Sequence, residues 1–344
     1  MTIRPSFSSD NHFGAHPAVL EAMARVNDGP ATAYGADTVT ERAVEQLRGL
    51  FGPEVGVFFV FNGTAANVLG LQALVRPWEA VICAAGAHIA VDECGAPEHF
   101  AVAKLLAVEA LDGKVTPGAV EQQLGRVGDQ HAVQPRVVSI SQTTEYGTVY
   151  SLAELREMAA VVRANGLRFH MDGSRLANAA AALGCSLAAM TTDVGVDVVT
   201  FGGTKNGAVA AEAVVLLDPS LAADFPYIRK QGMQLASKMR FLSAQFLALL
   251  EDDRYLVSAR HANAMAQRLA SGVAGLSAVQ LTQPVEANGI FAVLPTVLRL
   301  ALQAEFRFEL WDDSKEEVRW MTSWATTEAE VDHFVMRIRE LARG

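Results

Sequence analysis

Between about residue 50 and residue 220 of this 344-residue chain, short apolar runs alternate with longer segments of helical pattern. The runs "GVFFVF" at 56–61, "EAVICA" at 79–84 and "VDVVTF" at 196–201 are apolar almost without interruption. Strands of this kind are buried on both faces, which is typical of parallel sheets covered by helices. The sequence therefore predicts an α/β fold whose large domain is built around a mostly parallel mixed sheet.

Two helices carry a complete start signal. Ser151 and Glu154 form a capping box, in which each side chain accepts a hydrogen bond from the backbone of the other residue. Thr327 and Glu330 repeat this pattern near the carboxyl terminus. We expect a helix to begin at each place.

The pattern changes after about residue 230. Residues 235–253 predict a long amphipathic helix, a second helix follows from about 255 to 271, and the chain ends with a strand and a helix. We interpret this part as a smaller C-terminal α/β domain. The predicted boundaries are 1–235 for the large domain and 236–344 for the small one.

Charge and composition argue against several classes of protein. The net charge of −10 and the absence of a basic run disfavour nucleic-acid binding. Charges and glycines interrupt the apolar segments before they reach the ~20 residues of a membrane span. Residues 1–10 lack the apolar part of a signal peptide, and the three cysteines lack metal-ligand spacing. We therefore expect a cytoplasmic protein without a metal site and without nucleic-acid or membrane partners.

The segment "FNGTAAN" at 61–67 joins a predicted strand to a predicted helix. Gly63 lets the backbone approach a ligand closely, Thr64 offers a hydroxyl, and the helix N-terminus offers free N–H groups to an anion. The alternative is an ordinary strand–turn–helix in which Thr64 is the N-cap. Neither a P-loop nor a dinucleotide-binding fingerprint is present.

An acid and a lysine stand at the ends of two further strands. Asp172 ends "LRFHMD" and shares a strand face with His170, which we interpret as a packed core residue. Asp172 needs a cationic or N–H partner, and Arg175 is a candidate for a purely structural ion pair. Lys205 lies in "GGTKNG" after "VDVVTF", where it is either a desolvated nucleophile or a solvated loop lysine.

The three groups together fit one cofactor. Ligands of open parallel sheets bind at the carboxyl ends of the strands, where all three groups are expected. Pyridoxal 5′-phosphate needs a lysine for its aldehyde, a carboxylate for its ring nitrogen and a helix N-terminus for its phosphate. Lys205, Asp172 and the segment with Gly63 and Thr64 supply these groups.

At this point the sequence resembles the L-threonine aldolases of the low-specificity type. These belong to the beta-eliminating lyases and to the fold-type I, aspartate-aminotransferase-like, pyridoxal-phosphate enzymes. The resemblance covers most of the chain and is carried by motifs in the expected order: "FSSDN" (7–11), "AYGAD" (33–37), "NGTAAN" (62–67), "AHI" (87–89), "HMDGSRLANA" (170–179), "TFGGTKNG" (200–207) and "VRWMTSWATTEAEVD" (318–332).

The resemblance implies roles for the residues that match the cofactor site. Lys205 matches the lysine that binds the cofactor aldehyde, and Asp172 matches the acid that keeps the ring nitrogen protonated. Arg175 matches the arginine on the side of the ring oxygen. Gly63 and Thr64 match the phosphate cradle.

The resemblance also implies roles around the substrate. His88 matches a histidine that stacks on the cofactor ring and is a candidate catalytic base. Arg319 and Ser9 match residues that bind the substrate carboxylate, to which Arg175 also contributes. Tyr34, together with Arg229 or Lys230, lies in segments that reach a neighbour's active site in similar tetramers.

The chain departs from the family pattern at two places. Many members have a second histidine after the strand that matches "VVSISQ", and here Glu145 aligns with that histidine. Many also have a serine-rich turn before the lysine, where this chain has "GGTKNG". Both differences bear on how acid–base work is shared and on how strictly the β-carbon configuration is recognised.

The resemblance therefore implies a carbon–carbon lyase that cleaves L-threonine, L-allo-threonine and other β-hydroxy-α-amino acids reversibly to glycine and an aldehyde. The alternatives are a phenylserine aldolase, a β-eliminating lyase, an aminotransferase or a non-catalytic protein that kept the fold. The family also implies a homotetramer built as a dimer of dimers. The sequence leaves open the preference for the threo or allo substrate, the identity of the catalytic base and the need for a monovalent cation.

Overall fold

The computed structural model describes residues 4–342 and contains a seven-stranded sheet in its larger part. The strands of this sheet are β1 (Gly56–Val60), β2 (Glu79–Ala84), β3 (Lys104–Val108), β4 (Gln134–Ser141), β5 (Arg168–Asp172), β6 (Val198–Gly202) and β7 (Glu212–Leu216). Their order is β1-β7-β6-β5-β4-β2-β3. Only β7 runs antiparallel to its neighbours, β1 and β6, within this sheet. The predicted α/β fold with a mostly parallel mixed sheet is confirmed.

Helices cover the sheet and connect its strands. In chain order they are α1 (Pro17–Arg25), α2 (Thr38–Phe51), α3 (Gly63–Gln72), α4 (His88–Val91), α5 (Ala96–Phe100), α6 (Pro117–Gln122), α7 (Leu152–Ala164), α8 (Leu176–Leu183), α9 (Leu187–Met190), α10 (Phe225–Gln231), α11 (Arg240–Leu250) and α12 (Arg254–Val273). Because the parallel strands β4, β5 and β6 end at one edge, the loops that follow them meet there.

The last part of the chain forms a second, antiparallel sheet. Its strands are β8 (Gln280–Leu281), β9 (Gly289–Val293), β10 (Glu309–Asp312) and β11 (Glu317–Met321), in the order β10-β11-β9-β8. The helices α13 (Thr296–Glu305) and α14 (Glu328–Leu341) complete this unit. Within residues 4–342, no helix is long and apolar enough to cross a membrane.

Buried apolar side chains form two clusters. The first lies on the seven-stranded sheet and includes Phe246 of α11 and Tyr255 of α12. The second lies on the small sheet and includes Leu269 of α12 and Phe7 of the N-terminal segment. The long helix α12 therefore contributes to both clusters. The boundary between residues 235 and 236 stays a prediction.

The two helix starts predicted from capping boxes are confirmed, whereas the helix predicted over 235–253 is shorter in the structure. Both capping boxes form as expected, at Ser151 for α7 and at Thr327 for α14. In contrast, α11 begins only at Arg240 and ends at Leu250, and a separate 3-10 turn covers 251–253. The backbone just before α11 bonds to the N-terminal part of the chain instead, since Ser237 O accepts a hydrogen bond from Tyr34 N–H.

Candidate active site

A cavity of about 350 Å³ opens at the carboxyl ends of the parallel strands. Its wall is formed by the turn after β1, the start of α4, the turn after β6 and the beginning of β7. The residues that matter for its chemistry are Gly63, Thr64, Asn67, His88, Lys205 and Glu212. The cavity thus brings together predicted residues that lie far apart in the sequence.

The start of α3 faces the cavity with backbone N–H groups that lie before the first intrahelical hydrogen bond. The first intrahelical bond runs from Ala66 N–H to Asn62 O at 3.1 Å, so the N–H groups of Gly63 and Thr64 precede it. Asn62 is the N-cap, since its Oδ1 accepts from Ala65 N–H at 2.8 Å. The alternative in which Thr64 is the N-cap is therefore wrong, because the helix starts earlier, at Gly63.

Gly63 keeps space free in the cavity. A Cβ atom at this position would meet only Ser174 Oγ, at 3.7 Å, which is ordinary van der Waals contact. Packing within the protein therefore does not require a glycine here. The missing side chain instead leaves room for a ligand beside the N–H groups of the helix start.

Asp172 is a buried carboxylate with well-placed donors. Its Oδ2 accepts from Asn67 Nδ2 at 2.7 Å, and its Oδ1 accepts from Ser174 N–H at 2.9 Å. Burial by itself raises the pKa of Asp172, but the charge of Lys205 and these hydrogen bonds outweigh burial and hold the pKa below its usual value. The residue is therefore ionised at neutral pH.

His170 packs inside the sheet and does not reach the cavity. It is fully buried on β5, and its Nδ1 lies 2.9 Å from Ser139 Oγ. Burial lowers the pKa of His170 to about 4, so the ring is neutral at pH 7. Its interpretation as a core residue agrees with this position.

Lys205 follows β6 in a 3-10 turn, Thr204–Asn206, and lines the cavity. Burial and then the positive charge of Arg175 lower its pKa, against the opposing effect of Asp10, Asp172 and Glu212. A lowered pKa increases the fraction of the free amine, which is the nucleophilic form. The alternative of a solvated loop lysine does not fit this site.

Glu212 is a cavity residue that the sequence reading missed. It is buried at the start of β7, and its Oε2 accepts from Gly203 N–H at 3.0 Å in the turn before Lys205. Burial raises the pKa of Glu212 to about 7. The only signal in the sequence was a glutamate at the beginning of the apolar strand "AEAVVLLD".

His88 and Glu145 lie next to each other. His88 begins α4, and its backbone N–H donates to Glu145 Oε1 at 2.9 Å. The same oxygen accepts from Ser141 Oγ at 2.6 Å. Burial raises the pKa of Glu145 despite these two hydrogen bonds. The structure therefore places the acid that aligns with the family's second histidine beside the first one.

Arg175 pairs with Asp10, a residue that received no role from the sequence. Arg175 Nε and Nη2 donate to the two carboxylate oxygens of Asp10 at 2.7 and 3.0 Å. The structural alternative in which Arg175 pairs with Asp172 is therefore wrong. The carboxylate of Asp172 accepts hydrogen bonds from Asn67 and from a backbone N–H. Asp10, which lies in the N-terminal segment, pairs with Arg175 instead.

The protein uses only some of the guanidinium donors of Arg319, which lies on β11. Its guanidinium lies 4.7 Å from the ring centroid of Trp311, and Nη2 donates to Ser8 O at 3.2 Å. Its Nε is buried without a hydrogen-bond partner among residues 4–342. Arg319 shares a small pocket with Glu145 and Arg175, so the two arginines face one space.

The remaining predicted residues lie around this centre. Ser9 caps the 3-10 turn Asp10–His12, where its Oγ accepts from Asn11 N–H at 3.2 Å. Lys230 Nζ lies 5.4 Å from the ring of the exposed Tyr34. Arg229 lies elsewhere, with its guanidinium 5.2 Å from the ring of Phe58. The reach of these three residues into a neighbour's site stays a prediction.

The sequence profile of the beta-eliminating lyases matches residues 6–295, which is most of the chain and includes nearly all of the residues described above. The chain belongs to the beta-eliminating lyase family. The predicted class of enzyme, a lyase, is confirmed.

Two curated relatives agree with the predicted resemblance over nearly the full length. The low specificity L-threonine aldolase of a Pseudomonas species is 46% identical over 98% of this chain and 95% of its own length. That of Pseudomonas aeruginosa is 46% identical over 98% of this chain and 96% of its own length. The predicted resemblance to the L-threonine aldolases is confirmed.

Solved structures agree on the fold. The threonine aldolase of Leishmania major superposes with a TM-score of 0.93 at 32% identity, covering 98% of this chain and 99% of that one. The aspartate aminotransferase of Thermus thermophilus matches with a TM-score of 0.71 at 16% identity, covering 98% and 90%. The second match shows the shared fold alone, and it confirms the aspartate-aminotransferase-like class.

Proposed function

We propose that this protein is a pyridoxal-phosphate-dependent L-threonine aldolase. It cleaves L-threonine, L-allo-threonine and other β-hydroxy-α-amino acids reversibly to glycine and an aldehyde. The observation that carries the proposal is that Lys205 and the start of α3 line one cavity, whose lining residues Asn67 and Ser174 donate hydrogen bonds to the carboxylate of Asp172. The near-full-length identity to low specificity L-threonine aldolases supports the same activity.

The cavity fits the cofactor at three points. Lys205 would bind the aldehyde, and the ionised Asp172 would hold a proton on the ring nitrogen. The N–H groups of Gly63 and Thr64 would bind the phosphate in the space that a side chain at Gly63 would fill. Held by these residues, pyridoxal phosphate would supply the electron sink that cleavage of the Cα–Cβ bond needs.

Arg319 and Arg175 would bind the remaining anionic groups, which are the substrate carboxylate and the ring oxygen of the cofactor. The Nε of Arg319 has no hydrogen-bond partner within residues 4–342, and this arginine would bind the substrate carboxylate together with Ser9. Arg175 uses Nε and Nη2 for Asp10, which leaves Nη1 for the ring oxygen of the cofactor or for the substrate. Fixing the carboxylate orients the substrate, so that the Cα–Cβ bond is the one presented for cleavage.

His88 is the residue best placed to accept the proton of the β-hydroxyl group. It lines the cavity, and a histidine is well matched to proton transfer near neutral pH. Glu145 touches the backbone of His88 and supports its position. Aldehyde release needs this proton transfer, because the hydroxyl oxygen becomes the carbonyl oxygen.

A homotetramer and a cytoplasmic location complete the proposal. The surface on which Lys230 lies over the exposed Tyr34 is where we expect a second subunit to approach. Size-exclusion chromatography with light scattering measures the assembly directly. A stable monomer with full activity would contradict the tetramer.

The test is product analysis of the purified, cofactor-loaded protein with L-threonine and, separately, with L-allo-threonine. We expect glycine and acetaldehyde in equal amounts, without an added keto acid, and no cleavage by Lys205→Ala. The ratio of the two rates reports how tightly the β-carbon configuration is recognised. Release of ammonia would indicate β-elimination, and a requirement for a keto acid would indicate transamination, so either result would overturn the proposal. Cleavage of phenylserine alone would assign the phenylserine aldolase instead.

A further inference from the structure

Four buried or half-buried side chains form one hydrogen-bonded row beside the cavity: Asp172, Asn67, Glu93 and His88. We propose that Glu93 is a positioning residue that holds His88 with its ring hydrogen on Nδ1, so that Nε2 is the proton acceptor, and that Asn67 ties this pair to Asp172. The inference deepens the proposed function, on which its catalytic part rests.

The geometry of the row is specific. Asn67 Nδ2 has two hydrogens, and it donates to Asp172 Oδ2 at 2.7 Å and to Glu93 Oε1 at 2.9 Å. Glu93 Oε1 also lies 2.8 Å from His88 Nδ1. Asn67 is 1% exposed and Glu93 is 4% exposed, so the hydrogen bond between these two side chains is shielded from water.

The hydrogen-bonding capacity of Glu93 determines the tautomer of His88. An ionised Glu93 can only accept, so the hydrogen between it and His88 belongs to Nδ1 of the ring. That leaves Nε2 of His88 as the nitrogen with a free lone pair, and His88 lines the cavity. A buried carboxylate that orients a histidine in this way is a general device of acid–base catalysis.

Glu93 lacks a second set of partners. Its Oε2 is buried and has no hydrogen-bond partner among residues 4–342, so the side chain depends on Asn67 and His88 for its stabilisation. Burial raises the pKa of Glu93, while the hydrogen bond to Glu93 is the main reason that the pKa of His88 is raised. The protonation state of each residue therefore depends on that of the other.

Other charged groups also face this pair. Asp172, across Asn67, raises the pKa values of both His88 and Glu93, whereas Lys205 lowers that of His88. Glu145 contacts the backbone N–H of His88 and not its ring. Glu93 is thus the carboxylate with a direct bond to the imidazole, and its removal has the largest expected effect.

The experiment follows the acylation of each histidine by diethyl pyrocarbonate against pH, with peptide-resolved mass spectrometry. The reagent attacks the unprotonated ring, and the 37% exposure of the His88 side chain admits it. On the full-length protein, with and without pyridoxal phosphate, the midpoint of His88 should lie above that of N-acetylhistidine measured under the same conditions. In Glu93→Gln, whose amide keeps the shape but not the charge, the midpoint of His88 should fall by about one pH unit or more.

Glu98→Gln is the matched control, because Glu98 is an exposed carboxylate of the neighbouring α5. It should leave the midpoint of His88 unchanged. A midpoint of His88 in Glu93→Gln equal to that of the native protein would overturn the proposal. If Glu93→Gln does not fold, a native midpoint of His88 at or below that of N-acetylhistidine would overturn it as well.

The catalytic part is measured separately on L-threonine. Glu93→Gln should lower kcat about tenfold or more with little change in KM, and shift the acidic limb of the pH profile of kcat downward. An unchanged kcat and pH profile would remove Glu93 from catalysis. The acylation experiment needs no turnover, so it can succeed or fail independently of the aldolase assignment.

Discussion

At the scale of single residues, charged groups in and beside the cavity have pKa values that their neighbours shift in directions that suit catalysis. Asp172 stays ionised because Lys205 and two hydrogen bonds outweigh its burial. Lys205 has a lowered pKa because burial and Arg175 outweigh three acids. Perturbations of this kind cluster at functional sites, because a buried charge is tolerated only where its partners are fixed.

The clearest prediction at this scale concerns Arg319. Its guanidinium lies against Trp311, and within the part of the chain that the structure describes its Nε has no hydrogen-bond partner, so we expect it to bind the substrate carboxylate. Arg319→Ala should raise KM for L-threonine about 10- to 100-fold, as expected for loss of a charge-assisted hydrogen bond. Steady-state kinetics measure the effect.

Two further variants sharpen that experiment. Arg319→Lys keeps the charge and loses the planar fork, so its KM should lie between the native value and that of Arg319→Ala. Arg307→Ala removes an exposed arginine nearby and should leave KM unchanged. A native KM in Arg319→Ala would assign the carboxylate to another residue.

At the scale of elements, the site depends on how α3 begins. Asn62 is the N-cap of this helix and also lines the cavity. The helix start therefore has two separate properties, a structural cap and an anion-binding set of N–H groups. Two substitutions at Asn62 can separate them.

Asn62→Asp keeps the cap, since aspartate caps helices as well as asparagine does, but it places a negative charge beside the proposed phosphate site. We expect normal thermal stability and at least about tenfold weaker binding of pyridoxal phosphate. Asn62→Ala should instead lower stability by about 1 kcal/mol. Thermal unfolding and cofactor titration by absorbance measure the two effects, and equal affinity in Asn62→Asp and the native protein would contradict a phosphate site at α3.

At the scale of the whole molecule, Asp10 connects three parts of the chain. Its carboxylate pairs with Arg175 after β5 and accepts from Asn288 Nδ2 before β9 at 3.2 Å. The N-terminal segment that carries it also places Phe7 in the cluster of the small sheet. One buried carboxylate thus joins the N-terminus, the large sheet and the small sheet.

Asp10→Asn should destabilise the protein by about 3 kcal/mol, because it leaves the Arg175 charge buried and uncompensated. Burial raises the pKa of Asp10, but Arg175 and Lys205 outweigh it, so the pKa in the folded state lies below the usual 3.8. This stabilisation is therefore fully present above that value and is lost as the pH falls through the lowered pKa. Differential scanning calorimetry from pH 7 downward measures both statements.

The matched control uses a second bidentate pair, Arg268 with Asp332, which is exposed on α12 and α14. Asp332→Asn should leave the unfolding temperature almost unchanged, since solvent screens this pair. Equal losses in Asp10→Asn and Asp332→Asn would show that burial of the Asp10 pair contributes nothing.

Sequence alone determined the features that depend on neighbouring residues. The apolar runs of β1, β2 and β6 indicated the sheet, and the capping boxes at Ser151 and Thr327 marked two helix starts, because periodicity and capping act within a few residues. The positions of Asp172 and Lys205 at strand ends could be predicted for the same reason. Parallel strands bring their carboxyl ends together, so these two residues were expected to meet.

Only the tertiary structure decided which distant side chains pair. Arg175 binds Asp10 and not the nearby Asp172, and Asn67 bridges Asp172 to Glu93. Such partners are brought together by the path of the whole chain and leave no periodic or capping signal in the sequence. Burial, which sets the pKa of Glu212 at the cavity, is likewise a property of the packed molecule and not of any local stretch.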